Sequence, residues 1–195
     1  MSEKASKFVV VPFNMLPSEL KEGSTPEDVE EERQKIRDRI LKKSNQELMA
    51  EDAKRPEDDK AMKLLRALGS DLNINAFACN FRLSDGTLND DVEEANYLNK
   101  RIVERLSVDE PGDDPTSIPF FLTSTEFTQT LYGDCATNFK KRLGLTPDNL
   151  DLFVLRNVVM SPFPTERRFI ANLASVFQNV VEEEVEVGYP SRSWY

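Results

Sequence analysis

The stretch Leu72–Leu83, LNINAFACNFRL, constrains this chain more than any other. Side chains alternate across a strand, so Ile74, Ala76 and Ala78 fall on one face and Phe77, Cys79, Phe81 and Leu83 on the other. Both faces are largely apolar. That pattern predicts a central strand covered on both sides rather than an edge with one wet face. Leu152–Met160, LFVLRNVVM, has the same two-faced character, and the two segments are expected side by side in the middle of one sheet. Arg156 interrupts the second. Inside a covered strand its guanidinium needs a carboxylate or carbonyl partner, because an unpaired buried charge is costly.

Everything before Leu72 is charged and helical. Lys7–Phe13, KFVVVPF, is a short β-prone run whose Pro12 lacks a ladder donor and points to an edge or entry segment. Thr25-Pro26-Glu27-Asp28 is a helix start, with a capping threonine, proline at the first helical position and an acid three residues after the cap. The helix should run to about Lys43. Ser44 and Glu47 repeat the capping signature. Residues 19–63 hold 14 Asp/Glu against 11 Lys/Arg, as expected of solvated helices laced with ion pairs, or of a helix lying across a partner. Ala53–Lys60, AKRPEDDK, is the best candidate boundary, and Ala61–Leu68 a compact helix with Met62, Leu65 and Leu68 on one face, closed by Gly69.

After Leu83 helix and strand alternate. A helix is expected from about Asp91 to Ser107, with Ala95, Leu98, Ile102 and Leu106 on one face. Val108–Ser117 reads as a loop and Ile118–Thr125 as a strand. Thr128–Leu143 reads as one amphipathic helix with Leu131, Cys135, Phe139 and Leu143 along one side. Ser161–Pro164 breaks the chain, Thr165 caps, and a helix runs to about Glu184. Its stripe of Phe169, Ile170, Leu173, Val176, Phe177, Val180 and Val181 predicts deep packing. The tail Gly188–Tyr195 carries Trp194 and two tyrosines, as a docked tail or an interface anchor. The fold class is α+β: a small, mostly antiparallel sheet with helices mainly on one face, preceded by a charged helical segment. The expected domains are residues 1–60 (strand and charged linker), 61–187 (the α+β domain) and 188–195 (the aromatic tail).

Composition narrows the chemistry. The net charge of −10 argues against nucleic acid or an anionic membrane as partner. There is no histidine, which removes most nucleophile–base pairs and most catalytic zinc sites. Cys79 and Cys135 both sit in apolar patterns and read as buried free thiols of a reducing compartment, not as a disulfide or nucleophiles. Asp85, Asn89, Asp90, Asp91 and Glu93 lack the spacing of a calcium loop and suit an acidic helix start. No apolar run reaches signal-peptide or transmembrane length, and a cytoplasmic location is expected.

The strings themselves go further. INAFACNFR, EEANYLNKRIVERL, FFLTSTEF and LFVLRNVVMSPFPT, followed by a terminal helix, together resemble the C-terminal small domain of the PLP-dependent group II amino-acid decarboxylases. The resemblance is to the long fungal enzymes related to tyrosine, aromatic-amino-acid and glutamate decarboxylases. In that family a strand with F-x-x-N-F, a helix with A-N-x-L-N and a late F-V-L-R strand build the small domain. The resemblance spans roughly residues 72–186; residues 1–70 look like the segment that leads into it. It implies a PLP-binding large domain, or a homodimer partner, with which this region closes an active site. The family's Schiff-base lysine, ring-stacking histidine, phosphate-binding Ser/Thr and pyridinium-pairing Asp have no counterpart here. No catalytic, cofactor-binding or metal residue is therefore carried over, and PLP is implied only for a full-length enzyme. The other reading is a free-standing acidic α+β interaction or regulatory module.

Overall fold

The computed structural model describes residues 6–68, 74–108, 118, 120–158 and 167–188. The chain forms two compact units, one made of residues 1–13 and 73–195, the other of residues 14–72.

The larger unit is built on an antiparallel sheet of four strands in the order β1-β2-β4-β3 among the described residues. Strand β1 is Phe8–Pro12 and β2 is Ile74–Phe81, paired so that Phe8 faces Phe81 and Val10 faces Cys79. Strand β4, Leu152–Val158, pairs with β2 from Ile74–Val158 to Phe77–Leu155. Strand β3, Thr123–Phe127, pairs with β4 along its whole length. The two apolar segments are thus the two inner strands, and Pro12 closes an edge strand, where a missing N–H is harmless.

The alternation of β2 sorts the interior into two layers. Cys79 and Phe81 join Leu155 and Phe8 beneath Leu98 and Ile102 of helix α5 (Val92–Arg105), Leu106 just past its end, and Val180, Val181 and Val185 of helix α8 (Arg167–Gly188). Phe77 lies half-buried at the margin of this layer, edge-on to Phe177 of α8. On the opposite face Ala78 joins Leu152, Val154 and Phe127 under Ala136 and Phe139 of helix α7 (Asp134–Arg142) and Leu143 just past its end. The two long helices share one face, and their outer edges are tied by Arg101 and Arg105 to Glu184, with Arg105 also reaching Glu183.

Several expectations are corrected. The helix expected over Thr128–Leu143 is broken at Gly133, whose φ of +48° no helix allows, into α6, Gln129–Tyr132, and α7. The break re-aims the stripe: Leu131 is 80% exposed and Cys135 is exposed, while Ala136, Phe139 and Leu143 go inside. The strand expected at Ile118 begins at Thr123, because Leu122 instead donates its N–H to Leu106 O and fills the first layer. Among the described side chains of helix α8, the buried ones (Val180, Val181, Glu184 and Val185) lie in its second half, and Ile170 lies outside the described side chains. Phe169 is 51% exposed, and Leu173 and Val176 are half-exposed. A helix of this length spans about 33 Å, more than any strand beneath it, so part of it finds no floor. Ile74, at the start of β2, and Leu83, two residues past its end, both expected inside, lie exposed. Gly69, residues 109–117, the break at Ser161–Pro164, the cap at Thr165 and the tail 189–195 lie outside the described residues.

The smaller unit carries short helices: α1, Pro17–Leu20; α2, Pro26–Ile36; α3, Asn45–Asp52; and α4, Ala61–Ala67. Thr25 and Asp28 form the expected capping box, as do Ser44 and Glu47. Helix α2 ends at Ile36 and passes into a π-helical turn, Arg37–Leu41, that ends near the expected Lys43. Among the described residues of this unit only Leu48, Asp52 and Ala61 are buried, while Met62 and Leu65 of α4 are exposed rather than packed. Ala53–Lys60, expected as a boundary, runs inside this unit. Order there comes from polar contacts. Arg39 and Arg55 converge on Asp59, and the Asp52 carboxylate accepts from Ala61 N at 2.8 Å and Met62 N at 3.0 Å. Asp52 thereby joins the end of α3 to the start of α4.

The backbone N–H of Met62, with that of Ala61, holds the Asp52 carboxyl below the usual carboxylate range. A group depressed in the folded state stabilises it above its unfolded pKa of about 4, and that contribution is lost as pH falls through the folded value. In an NMR titration the Met62 amide should therefore move with a midpoint below about 4 and stop moving in Asp52→Asn. A midpoint at or above the ordinary aspartate value would contradict this role.

Candidate functional site

The sequence singled out few chemical groups, and the fold shows what each does. Cys79 is fully buried on β2, and burial pushes its thiol far above the ordinary range, so it is inert. Asp85 accepts from Thr87 N at 2.9 Å and from the Thr87 hydroxyl, closing a turn. Asp91 caps α5 by accepting from Glu93 N at 2.8 Å and Glu94 N at 3.3 Å. The acids before α5 thus serve the turn and the helix start. Among the described residues no grouping of three or more Cys, Asp or Glu side chains is placed to hold a metal ion. None of the described helices is long and apolar enough to cross a membrane.

Two polar devices were not read from the sequence. Strand β4 pairs with β2 only as far as Phe77, and with β3 from Leu152 to Arg156. Where the inner ladder stops, α5 takes over. Asn99 Oδ1 accepts from Cys79 N at 2.9 Å and Asn99 Nδ2 donates to Cys79 O at 2.8 Å. Asn96, one turn earlier, accepts from Phe153 N at 2.7 Å and donates to Asp151 O at 2.8 Å. Each amide offers a donor and an acceptor, as a paired strand would, one to β2 and one to β4. This is the physical content of A-N-x-L-N. It also accounts for Val92 and Ala95 reaching the second layer while Leu98 and Ile102 fill the first.

The second device is Lys140 on α7. Its side chain is wholly buried, and its Nζ lies 2.5 Å from Leu150 O, 3.0 Å from both Asp148 O and Asp148 Oδ1, and 3.2 Å from Gln129 Oε1. Burial alone would make it the lysine most suited to a Schiff base. Four oxygens around one ammonium make it a staple for the turn before β4 instead. Among the described residues no other lysine is buried. The chain contains no histidine.

What remains is a surface. Helix α7 covers only one end of its face of the sheet. At the other end Ile74 and Val158, paired across β2 and β4, are 43% and 37% exposed, with Ala76 and Arg156 half-buried beside them. Arg156 Nε donates to Thr123 Oγ1 at 3.0 Å. Among the described residues the partner, expected to be a carboxylate or carbonyl, is a hydroxyl.

No curated protein matches the chain. Residues 49–185 match the family described as tyrosine decarboxylase, C-terminal. The match takes in α4, the whole run from β2 to β4, and α8 up to Val185, beginning well before the strand where the resemblance in the sequence was first legible. It covers much more than half of the chain, and on that ground this protein belongs to the tyrosine decarboxylase C-terminal family.

Proposed function

We propose that this chain is the C-terminal small domain of a PLP-dependent amino-acid decarboxylase, provided either as part of a longer protein or as a separate chain. In this reading it docks on a PLP-binding large domain, closes the active-site cleft and braces the enzyme dimer, and it does no chemistry alone. The observation that carries the reading is the family match over residues 49–185. The open floor of Ile74, Ala76, Arg156 and Val158 supports it, because monomers seldom leave a contiguous apolar patch uncovered. The residues present supply docking surface and not the group that accepts electrons when the α-carboxylate is lost. That group comes with the cofactor and its own domain.

The test uses the purified chain. Mixed with PLP, it should show no specific Schiff-base absorbance and release no carbon dioxide from tyrosine, tryptophan, DOPA or glutamate. Cofactor trapped stoichiometrically by borohydride on one lysine would overturn the proposal.

A further inference from the structure

The sheet ends in two edge strands, and only one of them is guarded. On β1, Arg82 N donates to Lys7 O and Phe13 N to Ala76 O, so the alternation of an antiparallel ladder turns Val9 and Val11 toward β2 and Phe8, Val10 and Pro12 outward. The Ser6 hydroxyl donates to Phe8 O at 2.9 Å, and Pro12 has no N–H to offer. Val10 is left as the one outward residue of β1 offering both groups. An edge so arranged turns further strands away.

Strand β3 is different. Phe153 N of β4 turns to Asn96 of α5, and Arg156 O accepts from Thr123 Oγ1 at 3.2 Å, so Leu152, Val154 and Arg156 are the residues of β4 whose backbone groups face β3. Their partners Phe127, Thr125 and Thr123 face inward. Ser124 and Glu126 therefore turn their N–H and C=O groups off the end of the sheet. Among the described residues nothing pairs with them. The open stretch is sharply bounded, since Leu122 N is spent on Leu106 O and Thr128 O on Leu131 N and Tyr132 N. It contains no proline and no basic side chain, and Glu126 is exposed.

We propose that this edge receives an extended segment of another protein, added antiparallel to β3, with a lysine or arginine opposite Glu126. Backbone hydrogen bonds from Ser124 and Glu126 supply the affinity, and the Glu126 carboxylate reads the charge. Charge selects this occupant over a second copy, which would set Ser124 against Glu126, bring no countercharge and join two chains of −10. Sequence selects it over the rest of this chain. Residues 109–117, 159–166 and 189–195 each contain proline, which cannot donate to a ladder, and residues 1–5 and 69–73 lead directly into strands beyond β4. The inference does not depend on the decarboxylase reading.

The experiment titrates the full chain with the acetylated, amidated peptide TVKTTVT and follows the backbone amides by NMR. The Ser124 and Glu126 amides should shift together and saturate. The peptide TVETTVT should bind about fivefold more weakly, and Glu126→Lys should invert that preference. Ser124→Pro, which removes an outward N–H as Pro12 does on β1, should weaken binding while melting shows that the chain still folds. TVKTTVT methylated on the backbone nitrogens of its third and fifth residues should not bind, and this control leaves the protein untouched. No shift at any peptide concentration, shifts that avoid Ser124 and Glu126, equal binding of the two charges, or binding that survives methylation would each overturn the proposal. So would hydrogen exchange at these two amides that slows as the protein itself is concentrated, because a second copy then holds the edge.

Discussion

Replacing Asn99 with leucine should destabilise the larger unit by about 2–5 kcal/mol, because it strips the hydrogen-bond partners from two buried backbone groups at once. Asn99 is fully buried, and its amide is the partner of both Cys79 N and Cys79 O at the point where β4 has left β2. Leucine matches the volume but offers nothing to either group, and no water reaches Cys79 at 0% exposure. Asn99→Asp is no remedy. It keeps an acceptor for Cys79 N but turns a second oxygen on Cys79 O and Ala95 O, both of which now take a donor from Asn99 Nδ2. Asn96→Leu should cost less, since Asn96 is only half-buried and water can replace part of what is lost. Urea unfolding of the three variants is the check. A loss under about 1 kcal/mol for Asn99→Leu would mean that the strand finds another partner.

Lys140→Met should cost about 3 kcal/mol, the size expected when one member of a buried charged network is removed. Methionine fills the channel of the lysine stem, so the loss belongs to the ammonium and not to a cavity. Four oxygens lose their donor together, of which the Asp148 carboxylate is 38% exposed and can be rehydrated, while the carbonyls of Asp148 and Leu150 remain turned inward. Lys140→Arg should restore little, because a planar guanidinium does not fit a site with no accessible surface. Equilibrium unfolding again decides. If Lys140→Met is neutral, the turn before β4 is held by something other than this amine.

These two residues show where sequence reading reaches its limit in this chain. The inner strands were legible because burial on two faces leaves a run with no polar period, and only the middle of a sheet produces that run. Helix α5 was legible from the spacing of Ala95, Leu98, Ile102 and Leu106, all of them buried. Asn96 and Asn99 were visible as letters of a motif, but their role depends on two strands parting beside them, which no local pattern encodes. Lys140 lies on the inward face between Ala136 and Leu143, where a charge ordinarily signals solvent. The expected helix 128–143 failed at one residue, since a glycine permits a helix break without announcing it. Another glycine is fixed by contact: Gly144 has φ +83°, and a Cβ there would stand 2.9 Å from Leu88 Cδ1.

The insertion of residues 14–72 between two adjacent strands has a consequence for assembly. Phe13 N donates to Ala76 O at 2.8 Å, so the chain leaves the sheet and re-enters it at neighbouring points. Joining β1 to β2 therefore means closing a long loop, whose entropic cost grows only as the logarithm of its length. The insertion can melt, as its few buried side chains make easy, while β1 stays zipped to β2.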